Sequence, residues 1–299
     1  MKKYQKALRL VAVAFLFATA AFVTSCKKDA DPFSGEVNQT INNESTQDAQ
    51  QDEVDDIATA QLNESDPAGK YATTEDGRVS CAKITVELGA EKGSGTVVIN
   101  FDLKPNGEPN PEGCKDAKGN VRKGKITIHW TGGRWFKIGS VITITLDNYS
   151  INGVVINGTR TLSNVTTNVL FPTWTIVAEH TAEWPNGNMA SRTVHKTRKW
   201  DIVGGKIIVT QTAGADSAAS GTNRHGRNYS VQITQELVFS IDCIISNKVY
   251  IPVSGVKVIT FDNKVVTIDF GSGECDNTFT VTFDGRVRTE SARNDDSAD

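Results

Sequence analysis

The chain has 299 residues, 38% hydrophobic and 22% charged, with a formal net charge of −3 at pH 7. Its 32 basic and 35 acidic side chains leave no basic stripe for a phosphate backbone, so no nucleic acid partner is expected. With four histidines and no Cys-x-x-Cys spacing, neither a metal site nor a cofactor is predicted.

Residues 1–25 open with Lys2, Lys3, Lys6 and Arg9, followed by an apolar run from Leu10 to Val23. That run is shorter than the ~20 residues of a lasting transmembrane helix and reads as an export signal. The run ends in Val23-Thr24-Ser25-Cys26, which resembles a bacterial lipobox. The resemblance implies that Cys26 is acylated, for example by palmitate, and becomes the mature N-terminus.

Residues 26–70 are predicted to be an acidic, low-complexity tether. Positions 27–70 hold three lysines against eleven Asp and Glu, a net −8, with too few apolar residues to offset ordering entropy. One stretch, 48–62, places Val54, Ile57, Ala58 and Leu62 at helical spacing and predicts a short helix there.

Beyond the tether the period becomes two. Ile84, Val86 and Leu88 alternate with polar neighbours, as do Val97, Ile99 and Phe101, then Ile126, Ile128 and Trp130, then Ile142, Ile144 and Leu146. The same alternation returns at Val266, Ile268 and Phe270 and at Phe279, Val281 and Phe283. Such alternation buries one face of each strand. Turn pairs such as Asn152-Gly153, Gly204-Gly205 and Asp284-Gly285 separate the runs. Residues 71–288 are therefore predicted as one all-β domain, an antiparallel meander forming a sandwich, a layered sheet or an open barrel. No helix is expected within it, and 289–299 reads as a polar tail.

Cys81, Cys114, Cys243 and Cys275 remain after Cys26, an even number in an exported chain. An internal echo suggests their pairing. Each of Cys81 and Cys243 opens a segment with a strand ending in Phe (Val97–Phe101, Val266–Phe270) and closes on a glycine-flanked cysteine. The nearly equal separations predict Cys81–Cys114 and Cys243–Cys275.

Motifs for chemistry are thin. His129, His180, His195 and His225 are scattered, there is no Gly-x-Ser-x-Gly elbow, and carboxylates at Asp147, Glu179, Glu183 and Asp201 are isolated. No catalytic residue is assigned and no enzyme is expected. Arg134-Trp135-Phe136 stands in a predicted hairpin loop between Gly133 and Gly139. The two aromatics either fold back to cap the sheet end, the favoured reading, or offer with the neighbouring cation a flat platform for a sugar ring or a partner chain. Arg134, Trp135 and Phe136 are the candidate ligand-binding residues. The run Arg192–Trp200 is basic, with Arg192, Lys196 and Arg198 on one strand face. Edge protection is the favoured reading of that face, and contact with an anionic glycan or headgroup the other.

Ser25-Cys26-Lys27-Lys28-Asp29, the acidic spacer and the cysteine-bracketed strands together resemble β-rich secreted lipoproteins of Bacteroidota. So do Asp147–Gly153, Asn157–Thr161 and Ile268–Gly271. The resemblance implies a lipid-anchored outer-membrane protein, with the cell surface slightly favoured over the periplasmic face, and brings no assigned activity. The function expected is binding or scaffolding of a glycan or envelope protein. A glycan-binding surface module and a carrier of an apolar ligand in an open barrel are the alternatives.

Overall fold

Period-two alternation becomes fifteen strands of one antiparallel sheet in the computed structural model. The structure describes residues 32–33, 35–64, 76–133, 137–168, 170–214, 216–247 and 249–291. Cys26 and the candidate residues Arg134, Trp135 and Phe136 lie outside these.

In chain order a helix α1 (Glu36–Glu64) precedes β1 (Lys83–Leu88), β2 (Gly95–Asn100), β3 (Cys114–Lys115), β4 (Val121–Thr131), β5 (Val141–Ile151) and β6 (Val154–Asn164). Then come β7 (Thr173–Glu183), β8 (Met189–Val203), β9 (Lys206–Ala213), β10 (Ala219–Thr222) and β11 (Asn228–Ser240). A short helix α2 (Ile241–Asn247) leads to β12 (Ser254–Phe261), β13 (Lys264–Ser272), β14 (Thr278–Phe283) and β15 (Arg286–Ser291).

Consecutive strands pair almost throughout, so short connections alone build the sheet. There are two exceptions, β2 pairing β4 with β3 set beside it on β4, and a central one. β9 and β10 share one slot between β8 and β11, β10 pairing residues 191–194 of β8 and β9 pairing residues 196–203. Two-residue turns set the registers. Asn152 and Gly153 have φ of 51° and 85°. Both are positive, as a type I′ hairpin requires. The registers put the turns at 152–153, 185–188, 223–227 and 262–263 on one rim of the sheet. Residues 132–133, 137–140, 165–168 and 170–172, the turn 204–205 and α2 stand on the opposite rim.

The alternating apolar residues face inward. Ile99, Ile126, Ile128, Ile144 and Trp130 join one core cluster, and Val231, Ile259, Phe261, Val266 and Val281 another. Each such side chain contributes about 1.5–3 kcal/mol relative to exposure. Disulfides Cys81–Cys114 and Cys243–Cys275 close loops of 33 and 32 residues, the pairing that the sequence echo predicts. By loop-closure entropy each stabilises the fold by roughly 3–4 kcal/mol.

The structure departs from the sequence expectation in four places. The segment expected to be a tether with a helix at 48–62 is instead helical from Glu36 to Glu64, and it packs on the sheet. Cys243 opens no strand but lies in α2, a helix inside the β domain. β15 continues to Ser291, three residues into the expected tail. β8 is no edge, being paired on both sides, so its cationic face serves another purpose.

Candidate functional site: the charged seam under the helix

α1 has 29 residues. At the helical rise per residue it spans about 43 Å. It crosses the inward face from β15 to β4. Its two ends are apolar. Phe33, Val37 and Ile41 join the core cluster of β10–β14, while Val54, Ile57, Ala58 and Leu62 join that of β1–β7. Ile57 is 0% exposed. Between Asn42 and Glu53 the only apolar residue is Ala49, which faces solvent. The middle of the helix is thus held by polar chemistry.

That chemistry is a ladder of ion pairs. Six cations point inward from the strands: Arg122 on β4, Arg160 on β6, Arg192, Lys196 and Arg198 on β8, and Lys257 on β12. Five acids of α1 meet them, together with Asp116 just past β3. Arg160 forks onto Asp55 with Nε–Oδ1 2.5 Å and Nη2–Oδ2 2.7 Å, and its Nη1 donates to Gln51. Arg192 donates to Glu44 at 2.9 Å and to Asp48 at 2.6 Å. Asp48 also accepts from Lys196 at 2.8 Å and from Lys257. Arg198 reaches Asp52 at 2.8 Å, and Arg122 joins Glu53 to Asp116. Charges removed from water require this pairing, because a single buried ion costs several kcal/mol.

The electrostatics follow from the crowding. Burial pushes the Asp48 carboxyl up, but Arg192, Lys196 and Lys257 together hold it well below the usual carboxylate range. Burial also works against the Arg192 charge, yet Asp48 and Glu44 keep it raised. The two lysines divide: burial lowers Lys196, whereas for Lys257 the pull of Asp48 and Glu44 overcomes burial.

His180 on β7 faces inward, not outward as polar residues on strands usually do, and is buried. Gln51 Nε2 donates to its Nδ1 at 3.2 Å. That bond puts the imidazole proton on Nε2. Burial, then the nearby Arg160 and Arg192, push its pKa down to about 3. A narrow cleft there is bordered by Gln47, Gln50, Gln51, Leu146, Arg160 and His180. The Gln50 amide and His180 Nε2 are buried without a hydrogen-bond partner. Each such group costs about 1–3 kcal/mol.

Of the residues singled out from sequence, Arg192, Lys196 and Arg198 belong to this seam, and Arg134, Trp135 and Phe136 lie outside the described residues. Arg122, Arg160 and Lys257 lay within reach of sequence reasoning, since each shares inward parity with Ile126, Leu162 and Ile259 on its strand. Trp130, Trp174 and Trp184 are buried, and Trp200 is half-buried. Among the described residues no group of three or more His, Cys, Asp and Glu gathers to hold a metal ion, and no helix is long and apolar enough to cross a membrane.

Comparison of the chain with protein-family models, with curated proteins and with solved structures finds no match.

Proposed function

We propose that this is a cell-envelope lipoprotein, held to the outer membrane through Cys26, whose β domain binds or scaffolds a glycan or protein partner. The observation that carries the reading is the export signal and lipobox-like Val23–Cys26, set ten residues before a helix that is built into the domain. Ten residues reach at most about 35 Å. The domain therefore hangs close to its anchor, far closer than an extended tether over 26–70 would allow. Two or more acyl chains, at ~0.8 kcal/mol per buried CH₂, hold such a protein stably.

The inward face is occupied by α1, which leaves the outer face and the two rims for partners. A carrier of apolar ligands would have to displace a helix held by six cations, exposing their charges. Metabolic labelling with palmitate tests the anchor. Wild type is expected to take the label and to need detergent for extraction. Cys26→Ala is expected to lose both properties. Label retained by Cys26→Ala contradicts the reading.

A further inference from the structure

Thirteen large apolar side chains are exposed among the described residues, and their placement is uneven. Four of them, Val177, Met189, Val265 and Val287, are spread over the strands and the rim near Glu36. The other nine stand on the opposite rim, in the loops that follow β4 and β6, at the β8–β9 turn, at the end of β1 and around α2. Large apolar patches on one side of a molecule mark a contact surface.

The β8–β9 hairpin is the part that projects. β7 ends its pairing with β8 at Thr173↔Lys199, and β11 ends its pairing with β9 at Ser240↔Ile208. Residues Ile202–Ile207 therefore pair only with each other, as Ile202↔Ile207 and Val203↔Lys206 around Gly204-Gly205. The finger extends about 13 Å beyond the end of β7. Ile202 (63% exposed) and Ile207 (47%) lie on one face and Val203 (56%) on the other. A protein partner covers one face of a hairpin, whereas a lipid layer surrounds both. Lys206 at the tip and Lys137 in the neighbouring loop carry positive charge, and Lys199 beside Phe171 balances Asp201 at the base of the finger. Leu170, 70% exposed, stands in the intervening loop, whose residues 165–172 carry no charge. Apolar tips interleaved with lysines suit the boundary between anionic headgroups and acyl chains.

We propose that the Ile202–Ile207 finger, with Leu170 beside it, inserts into an anionic lipid surface, while the exposed Glu91, Asp242, Glu274 and Asp276 keep the outlying parts of this rim in water. The contact does not depend on an acyl chain at Cys26. Glu36, where the chain departs toward Cys26, is ion-paired with Lys264 and Arg227 at the other rim.

The test uses the full chain with Ile202→Trp as a reporter, the five native tryptophans being subtracted through wild type. Vesicles of phosphatidylglycerol and phosphatidylethanolamine are expected to shift the reporter emission to the blue, and brominated acyl chains to quench it. Adding Val203→Glu and Ile207→Glu, at exposed positions, is expected to abolish both signals with an unchanged circular-dichroism spectrum. A reporter that stays in water with these vesicles overturns the proposal. So does an equal response to phosphatidylcholine alone, or a concentration-dependent blue shift without vesicles, which would assign the rim to a second copy of the chain or another protein.

Discussion

Asp48→Asn is expected to destabilise the protein by about 3–5 kcal/mol, a large share of the roughly 5–15 kcal/mol that holds a domain folded. Asp48 accepts from Arg192, Lys196 and Lys257 together, and an amide cannot neutralise them. Arg192 would keep Glu44, but Lys196 would lose the carboxylate to which it donates. The comparison is Lys104→Ala, which removes an exposed pair with Glu108 at 3.5 Å. That change is expected to cost less than about 1 kcal/mol. Denaturant midpoints at pH 7 measure both. Equal, small effects would mean that the seam is solvated and α1 loosely held.

Acid is expected to unfold the protein in two stages. His180 has its pKa lowered to about 3 in the folded protein, against its ordinary 6.5. Its neutral form is the folded one, so stability is full above pH 6.5 and falls as the unfolded chain takes up a proton. At 1.36 kcal/mol per pH unit the loss is roughly 3 kcal/mol by pH 4. Asp48 acts lower down. Its folded pKa is depressed, so its contribution is present above the ordinary 3.8 and disappears as pH falls through the folded value. From pH 7 to 4 the histidine is opposed by Asp56, whose pKa burial pushes up to about 6. Protonation of Asp56 in the folded protein restores stability as pH falls below about 6. The histidine is read as the difference between wild type and a variant without it. His180→Gln, which keeps a polar group beside Gln51, is expected to remove the histidine's loss in that window and leave the drop below pH 4. A wild-type profile parallel to that of His180→Gln from 7 to 4 contradicts the buried, neutral imidazole.

Strands, turns and disulfides were legible because each is specified locally or by a repeated local pattern. Ile126, Ile128 and Trp130 alternate with Thr127 and His129, and nothing distant is needed to read them as one face. α1 was legible only at Val54, Ile57, Ala58 and Leu62, where the buried residues are apolar. Gln47, Gln50, Gln51 and Asp55 are also buried, and a search for an apolar stripe passes over them. The reason for Gln51 and Asp55 lies far along the chain in Arg160, as that for Glu44 and Asp48 lies in Arg192 and Lys257. The same distance explains the misreading of Arg192, Lys196 and Arg198 as edge protection: β8 becomes central only once β9 and β10 fold against it. An acidic segment and a set of inward cations were both visible, and only the fold brings them together.

Amide hydrogen exchange across residues 43–62 of the intact protein tests the central claim most directly, that the acidic N-terminal segment is a structural helix clamped inside the sheet. Protection of these amides comparable to that of β5–β7, lost in Asp48→Asn, is the expected result. Complete exchange within seconds at pH 7, as in a solvated spacer, would contradict it.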